Sequence, residues 1–147
     1  MTVAPAWVAP YVGLPYKDKG RGPDGWDCWG GVRMVLSEVF GLDVPSYDET
    51  YASGADRVAV PAAVESGLAE GWERTDTREP GSLLILRIAG RPWHCGLIVA
   101  PNLFLHWAPH TTSCMERLDS LMWTRRIEGI YRRRVLEKEG ESCDTFP

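Results

Sequence analysis

Asp27-Cys28-Trp29-Gly30-Gly31-Val32-Arg33-Met34-Val35-Leu36-Ser37-Glu38-Val39-Phe40-Gly41 decides how this chain folds. Val32, Val35, Leu36, Val39 and Phe40 recur at i, i+3, i+4, i+7 and i+8, the period of a helix with one buried face. Asp27 is a suitable N-cap, Gly41 a suitable C-terminal stop, and Pro45 lies just beyond. The spacing therefore predicts a helix that opens at Cys28, with the cysteine one step N-terminal on the same apolar stripe. The unpaired N–H groups and dipole of a first helical turn favour a thiolate, so this position suits a nucleophile. A free cysteine is also an ordinary small core residue, and position alone does not separate the two.

A nucleophilic cysteine needs a base, and the base needs an orienting group. The chain has three histidines. His94 opens the β-rich run Trp93-His94-Cys95-Gly96-Leu97-Ile98-Val99-Ala100, and His106 lies in Phe104-Leu105-His106-Trp107. Pro101-Asn102 between them is a turn signal, so a hairpin is expected to bring the two rings together on adjacent strands. One ring can then accept the thiol proton while the other fixes its tautomer. His110 follows Pro109 in a polar loop and is expected at the surface. Strand alternation turns Cys95 away from His94, which predicts a core position outside any cleft.

The order of these elements resembles the NlpC/P60 cysteine peptidases of peptidoglycan, and in particular the versions carried on phage tails. The resemblance rests on Gly13-Leu14-Pro15-Tyr16, Gly25-Trp26-Asp27-Cys28-Trp29-Gly30, Pro80-Gly81-Ser82-Leu83-Leu84, His94-Cys95-Gly96-Leu97-Ile98 and Leu105-His106, and runs from about Tyr11 to Arg133. It implies a papain-like α+β fold, in which N-terminal helices and the cysteine helix pack on a central antiparallel β-sheet. It implies Cys28 as nucleophile, His94 as base, His106 as third member and Tyr16 as an oxyanion donor. The implied substrate is a peptidoglycan stem peptide. The sequence departs from the common pattern at Trp29, where serine is frequent, and at Cys95, where a small β-branched residue is usual.

The chain is long enough for one core, and residues 1–136 are expected to form a single domain with 137–147 as a tail. A net charge of −4 over 147 residues argues against bulk binding to nucleic acid. The arginines at 125, 126 and 132–134 read as a solvated strand face. The four cysteines at 28, 95, 114 and 143 make no compact disulfide framework. Zinc held by Cys28, His94, His106 and His110 is the chemical rival. That set lacks the close paired spacing of structural zinc sites, and neither metal nor cofactor is expected.

No stretch is apolar enough to span a membrane, and the N-terminal residues do not resemble a secretion signal. The expectation is a protein made in the bacterial cytoplasm. It would reach the wall on a phage tail or gene transfer agent particle, with tail-tip or baseplate proteins as partners. A different amidase or transacylase on the same fold, and a structural tail component with little activity, are the alternatives.

Coarser features complete the reading. Tyr11 to Gly25 is a Gly/Pro-rich approach loop. Tyr47 to Ala69 suggests one or two short helices interrupted at Gly54 and Pro61. Strands are expected near Leu83 to Ile88, Cys95 to Ala100, Leu103 to Trp107, Ser113 to Arg117 and Gly129 to Arg134. Helices first and strands afterwards is an α+β order.

Overall fold

The computed structural model describes residues 3–53, 55–56 and 58–134; the tail expected at 137–147 lies outside them. A 3₁₀ turn, Ala6–Tyr11, precedes helix α1, Cys28–Phe40, and helix α2, Ala59–Leu68. Six strands follow: β1 Trp72–Thr75, β2 Leu83–Ile88, β3 Arg91–Ala100, β4 Leu103–His106, β5 Cys114–Arg117 and β6 Ile127–Arg133. They form one antiparallel sheet in the order β1-β6-β2-β3-β4-β5. This is the expected α+β architecture, with the cysteine helix packed on the sheet.

Helix α1 begins and ends where its caps demand. The Asp27 side chain accepts from the Gly30 N–H at 2.7 Å, and Gly41 closes the helix in the left-handed conformation at φ 68°. Val32, Val35 and Leu36 are fully buried against Leu97, Leu105 and Trp107 of the sheet. Two glycines in the first turns let this helix sit unusually close to its neighbours. A Cβ at Gly31 would lie 2.2 Å from the Trp107 ring, and one at Gly30 would lie 2.1 Å from the Gly20 carbonyl oxygen. The approach loop, through Gly20, and the residue after β4, Trp107, thus both close on the turn that carries Cys28.

Alternation along β3 sends side chains into two separate cores. Cys95, Leu97 and Val99 join the core under α1, while Ile98 joins Leu84, Leu86, Phe104, Leu118, Trp123 and Ile130 on the other face. The segment after β5 covers that second face through Leu118 and Trp123.

Pro61, expected to interrupt helix formation, stands in the first turn of α2. A missing N–H costs nothing there, because the first N–H groups of a helix have no intrahelical acceptor. The Asp56 carboxylate instead takes the N–H groups of Val58 and Ala59, at 3.0 and 2.9 Å. Strand β1 was not apparent from sequence, since only Trp72 of its four residues is buried. Of the arginines of β6, Arg132 faces outward and pairs with Glu73 at 2.7 Å, whereas Arg133 is partly buried and lies over the Trp72 ring.

Candidate active site

A cavity of about 590 Å³ opens over the N-terminus of α1, and Tyr16, Cys28, His94 and Cys95 all line it. Much of its wall is apolar, from Val60, Val64 and Leu68 of the α2 segment and from Leu83 and Ile85 of β2. Trp29, Trp93, Trp107 and Trp123 also contribute, whereas Trp26 belongs to the approach loop, where its backbone bridges to Tyr16 and Arg21. His110 is exposed in the loop after β4, as expected, and reaches the cavity rim.

The two histidines meet across the β3–β4 hairpin. His94 Nε2 and His106 Nδ1 are 2.8 Å apart, and His106 Nε2 is 2.7 Å from Glu116 Oε2 on β5. Glu116 was not anticipated from sequence. It stands opposite Phe104 in the β4–β5 register, one diagonal step from His106, whose direct partner is Cys114. Both imidazoles are buried, and Trp123 stacks on His94 at 6.0 Å and meets His106 edge-on at 5.6 Å. Trp123 too was missed, because it arrives from a turn far along the chain that carries no motif.

The hydrogen bonds determine the proton positions. A carboxylate only accepts, so the His106 Nε2 carries a proton that it gives to Glu116. Burial, with the charge of His94, pushes His106 down to about 4, so at neutral pH its Nδ1 is bare and accepts from the His94 Nε2–H. His94 is left with Nδ1 as its free basic nitrogen.

Cys28 is partly accessible from the cavity. Its thiol is held well below the usual range, first by a hydrogen bond from the Cys95 side chain and then by His94, with the Cys95 backbone contributing and burial opposing. Cys95 is pushed the other way, chiefly by that same hydrogen bond and by burial, so it keeps its proton and gives it to the Cys28 sulfur. Cys95 does point away from His94 into the core, but the expectation that this removes it from the cleft fails. Cys28 enters from the α1 side, so the residue after the histidine faces the nucleophile.

Tyr16 is half-buried beside this pair, and burial together with the Cys28 charge holds its phenol protonated far above the usual range. It is therefore a hydrogen-bond donor on the cavity wall. Next to Cys28 in the chain, Asp27 is 3 % exposed and shares an ion pair with Arg21 at 2.8 Å. Tyr51 hydrogen-bonds to Asp27 and accepts from Arg21 at 2.9 Å, and Ser46 takes two further Arg21 bonds. Burial raises the Asp27 carboxyl, and Tyr51 and Arg21 oppose that rise.

The zinc ligand set weighed from sequence is not the one the fold assembles. Among the described residues, the atoms lying within 4.8 Å of one another as potential ligands belong to His106, Cys114 and Glu116. Cys28, His94 and His110 are outside that group, and the His106–Glu116 hydrogen bond already occupies its centre.

Comparison with known proteins gives the family and the fold. The family model described as "NlpC/P60 family" matches residues 13–132. Protein P54 of Enterococcus faecium is 26 % identical over 96 residues, covering 65 % of this chain and 16 % of that protein. The murein DD-endopeptidase MepS/murein LD-carboxypeptidase of Escherichia coli K12 is 25 % identical over 130 residues, covering 88 % of this chain and 60 % of that protein. The chain thus spans only part of the length of these relatives. Among solved structures, the NlpC/p60 domain of the peptidoglycan hydrolase SagA superposes with a TM-score of 0.58 at 21 % identity, covering 86 % of this chain and 93 % of that domain. An NlpC/P60 family protein from Bacillus cereus gives 0.63 at 16 % identity, covering 90 % of this chain and 42 % of the other.

Proposed function

We propose, from the premise that this chain belongs to the NlpC/P60 family, that it is a cysteine peptidase hydrolysing the stem peptides of peptidoglycan. The observation that carries the reading is the hydrogen-bonded line from His94 through His106 to Glu116, which begins on the same cavity wall as the Cys28 thiol. His94 Nδ1 takes the thiol proton, and the Cys28 sulfur adds to the carbonyl carbon of the peptide bond. Charge builds on the carbonyl oxygen, where the Cys28 backbone N–H and the Tyr16 hydroxyl are the donors, a contribution of roughly 3 kcal/mol per donor in acyl transfer. His94 then protonates the leaving amine and afterwards activates water to release the acyl group. His106, oriented by Glu116, keeps His94 in the tautomer that leaves Nδ1 free.

Delivery on a phage tail or gene transfer agent particle belongs to the same proposal. Its support is the likeness of the Asp27-Cys28-Trp29-Gly30 turn to the phage-type branch. Mass spectrometry of purified particles checks it. The apolar side of the cavity favours a second reading, an amidase or transacylase acting on a less polar acyl group.

The test is release of new amino groups from purified peptidoglycan by the parent protein and by Cys28→Ala. The parent is expected to release peptide and the variant none. If the parent releases none and an electrophilic probe also fails to label Cys28, the hydrolase reading is wrong. Analysis of the fragments by mass separates peptide-bond cleavage from amidase chemistry.

A further inference from the structure

The mechanism uses one of the two thiols at the head of α1 and leaves the other unemployed. Cys95 sits on β3 directly under α1, is 5 % exposed, and shares both the core cluster and the cavity wall with Cys28. The third described cysteine, Cys114, is placed differently. It lies on β5 with its sulfur 3.7 Å from His106 Nε2, on the Glu116 side of the histidine pair.

We propose that Cys28 and Cys95 form an oxidative modification site, in which a hydroperoxide converts the catalytic thiol into a reversible Cys28–Cys95 disulfide. Cys28 is reachable from the cavity, which admits a molecule as small as hydrogen peroxide. Its thiolate character favours the first step, since susceptibility to peroxide follows thiolate fraction and access. In that step the Cys28 sulfur attacks one peroxide oxygen, the O–O bond breaks, and hydroxide leaves and is protonated to water. Cys28 is now a sulfenic acid. In the second step Cys95 gives up its proton and its sulfur attacks Cys28, the S–O bond breaks, and a second water departs. Two thiols and one peroxide become one disulfide and two waters, with the sulfurs oxidised and the peroxide reduced.

Neighbouring groups select the partner. Cys95 shares the core cluster under α1 and the cavity wall with Cys28, whereas Cys114 lies against His106 on β5, so closure between Cys28 and Cys95 requires no opening of the sheet. The consequence is protection. A sulfenic acid without an adjacent thiol proceeds to sulfinic and sulfonic acids, which ordinary thiols do not reverse.

The inference rests on Cys28 being a reactive thiol, and its test reads mass and labelling apart from any wall-degrading activity. The full chain is treated with one equivalent of hydrogen peroxide, its remaining thiols are alkylated, and it is digested without reductant. The expected product is lighter by two hydrogen atoms, with the Cys28 and Cys95 peptides joined, and dithiothreitol restores iodoacetamide labelling of both. In Cys95→Ala treated with an excess of hydrogen peroxide, Cys28 is expected to gain two or three oxygen atoms and to stay unlabelled after reduction. Cys28 gaining oxygens in the parent while Cys95 remains alkylatable would overturn the proposal, as would a crosslink from Cys28 to Cys114 or Cys143. Failure of the untreated parent to label at Cys28 would instead count against the peptidase reading itself. The mapping on the parent decides the matter even if Cys95→Ala folds poorly.

Discussion

Two buried polar networks flank the same sulfur, and they are built to opposite plans. On the α1 side, Asp27, Arg21, Tyr51 and Ser46 close on one another, so an ion pair and its hydrogen bonds satisfy each other and tie the loop before the helix to the chain after it. On the sheet side, His94, His106 and Glu116 form an open line with one end at the thiol and the other at a half-buried carboxylate. A closed network holds a backbone in place, whereas an open one has a free end to act on something else. The difference assigns the first to fixing the cysteine turn and the second to moving its proton.

The strongest way to break that division is to remove one member from each side. His94→Ala is expected to cost roughly 10²–10⁴ in kcat/KM for peptide release while the thermal midpoint stays near that of the parent. Arg21→Met is expected to do the reverse. It strands the Asp27 carboxylate at 4 % side-chain exposure, a loss of about 3–5 kcal/mol of stability by denaturant titration. If Arg21→Met leaves stability intact but removes activity, the closed network has a chemical part and the division fails.

A smaller effect concerns pH. His106 falls from its ordinary 6.5 to about 4 on folding, so the folded state prefers the neutral ring. Its stabilisation is fully present above pH 6.5 and is lost as pH drops through that value towards about 4. The total is on the order of 3 kcal/mol at about 1.4 kcal/mol per unit. Urea midpoints across that window should fall with pH in the parent and fall less in His106→Asn. The smallest expected change is from Glu116→Gln, whose amide oxygen still accepts from His106 but brings no charge. A drop of about tenfold or less in kcat/KM is expected, with a larger one in Glu116→Ala. Equal rates in all three would reduce Glu116 to a surface group.

The open network was half legible in the sequence and the closed one hardly at all. Cys28, His94 and His106 stand on elements with strong periodicity or a turn signal, so helix start and hairpin were enough to place them together. Glu116 depended on the β4–β5 register, which no residue of the connecting loop announces. Asp27 was readable as a cap, but Arg21 and Tyr51 come from irregular chain on either side of α1, where pattern carries no positional information. The alternation that turned Cys95 from His94 was read correctly; the side from which the helix delivers Cys28 is a tertiary matter, and strand periodicity is blind to it.

Trp107 follows His106 directly, and the two side chains serve different masters. One presses on Gly31 beneath the cysteine turn, and the other holds the ring of His94. Nucleophile and base are therefore both referenced to a single peptide unit at the end of β4. A mechanical displacement of that unit carries both along, so their separation is buffered against the breathing of the sheet. On heating, the reacting distance should survive until β4 itself detaches, and inactivation and unfolding should then coincide in one transition.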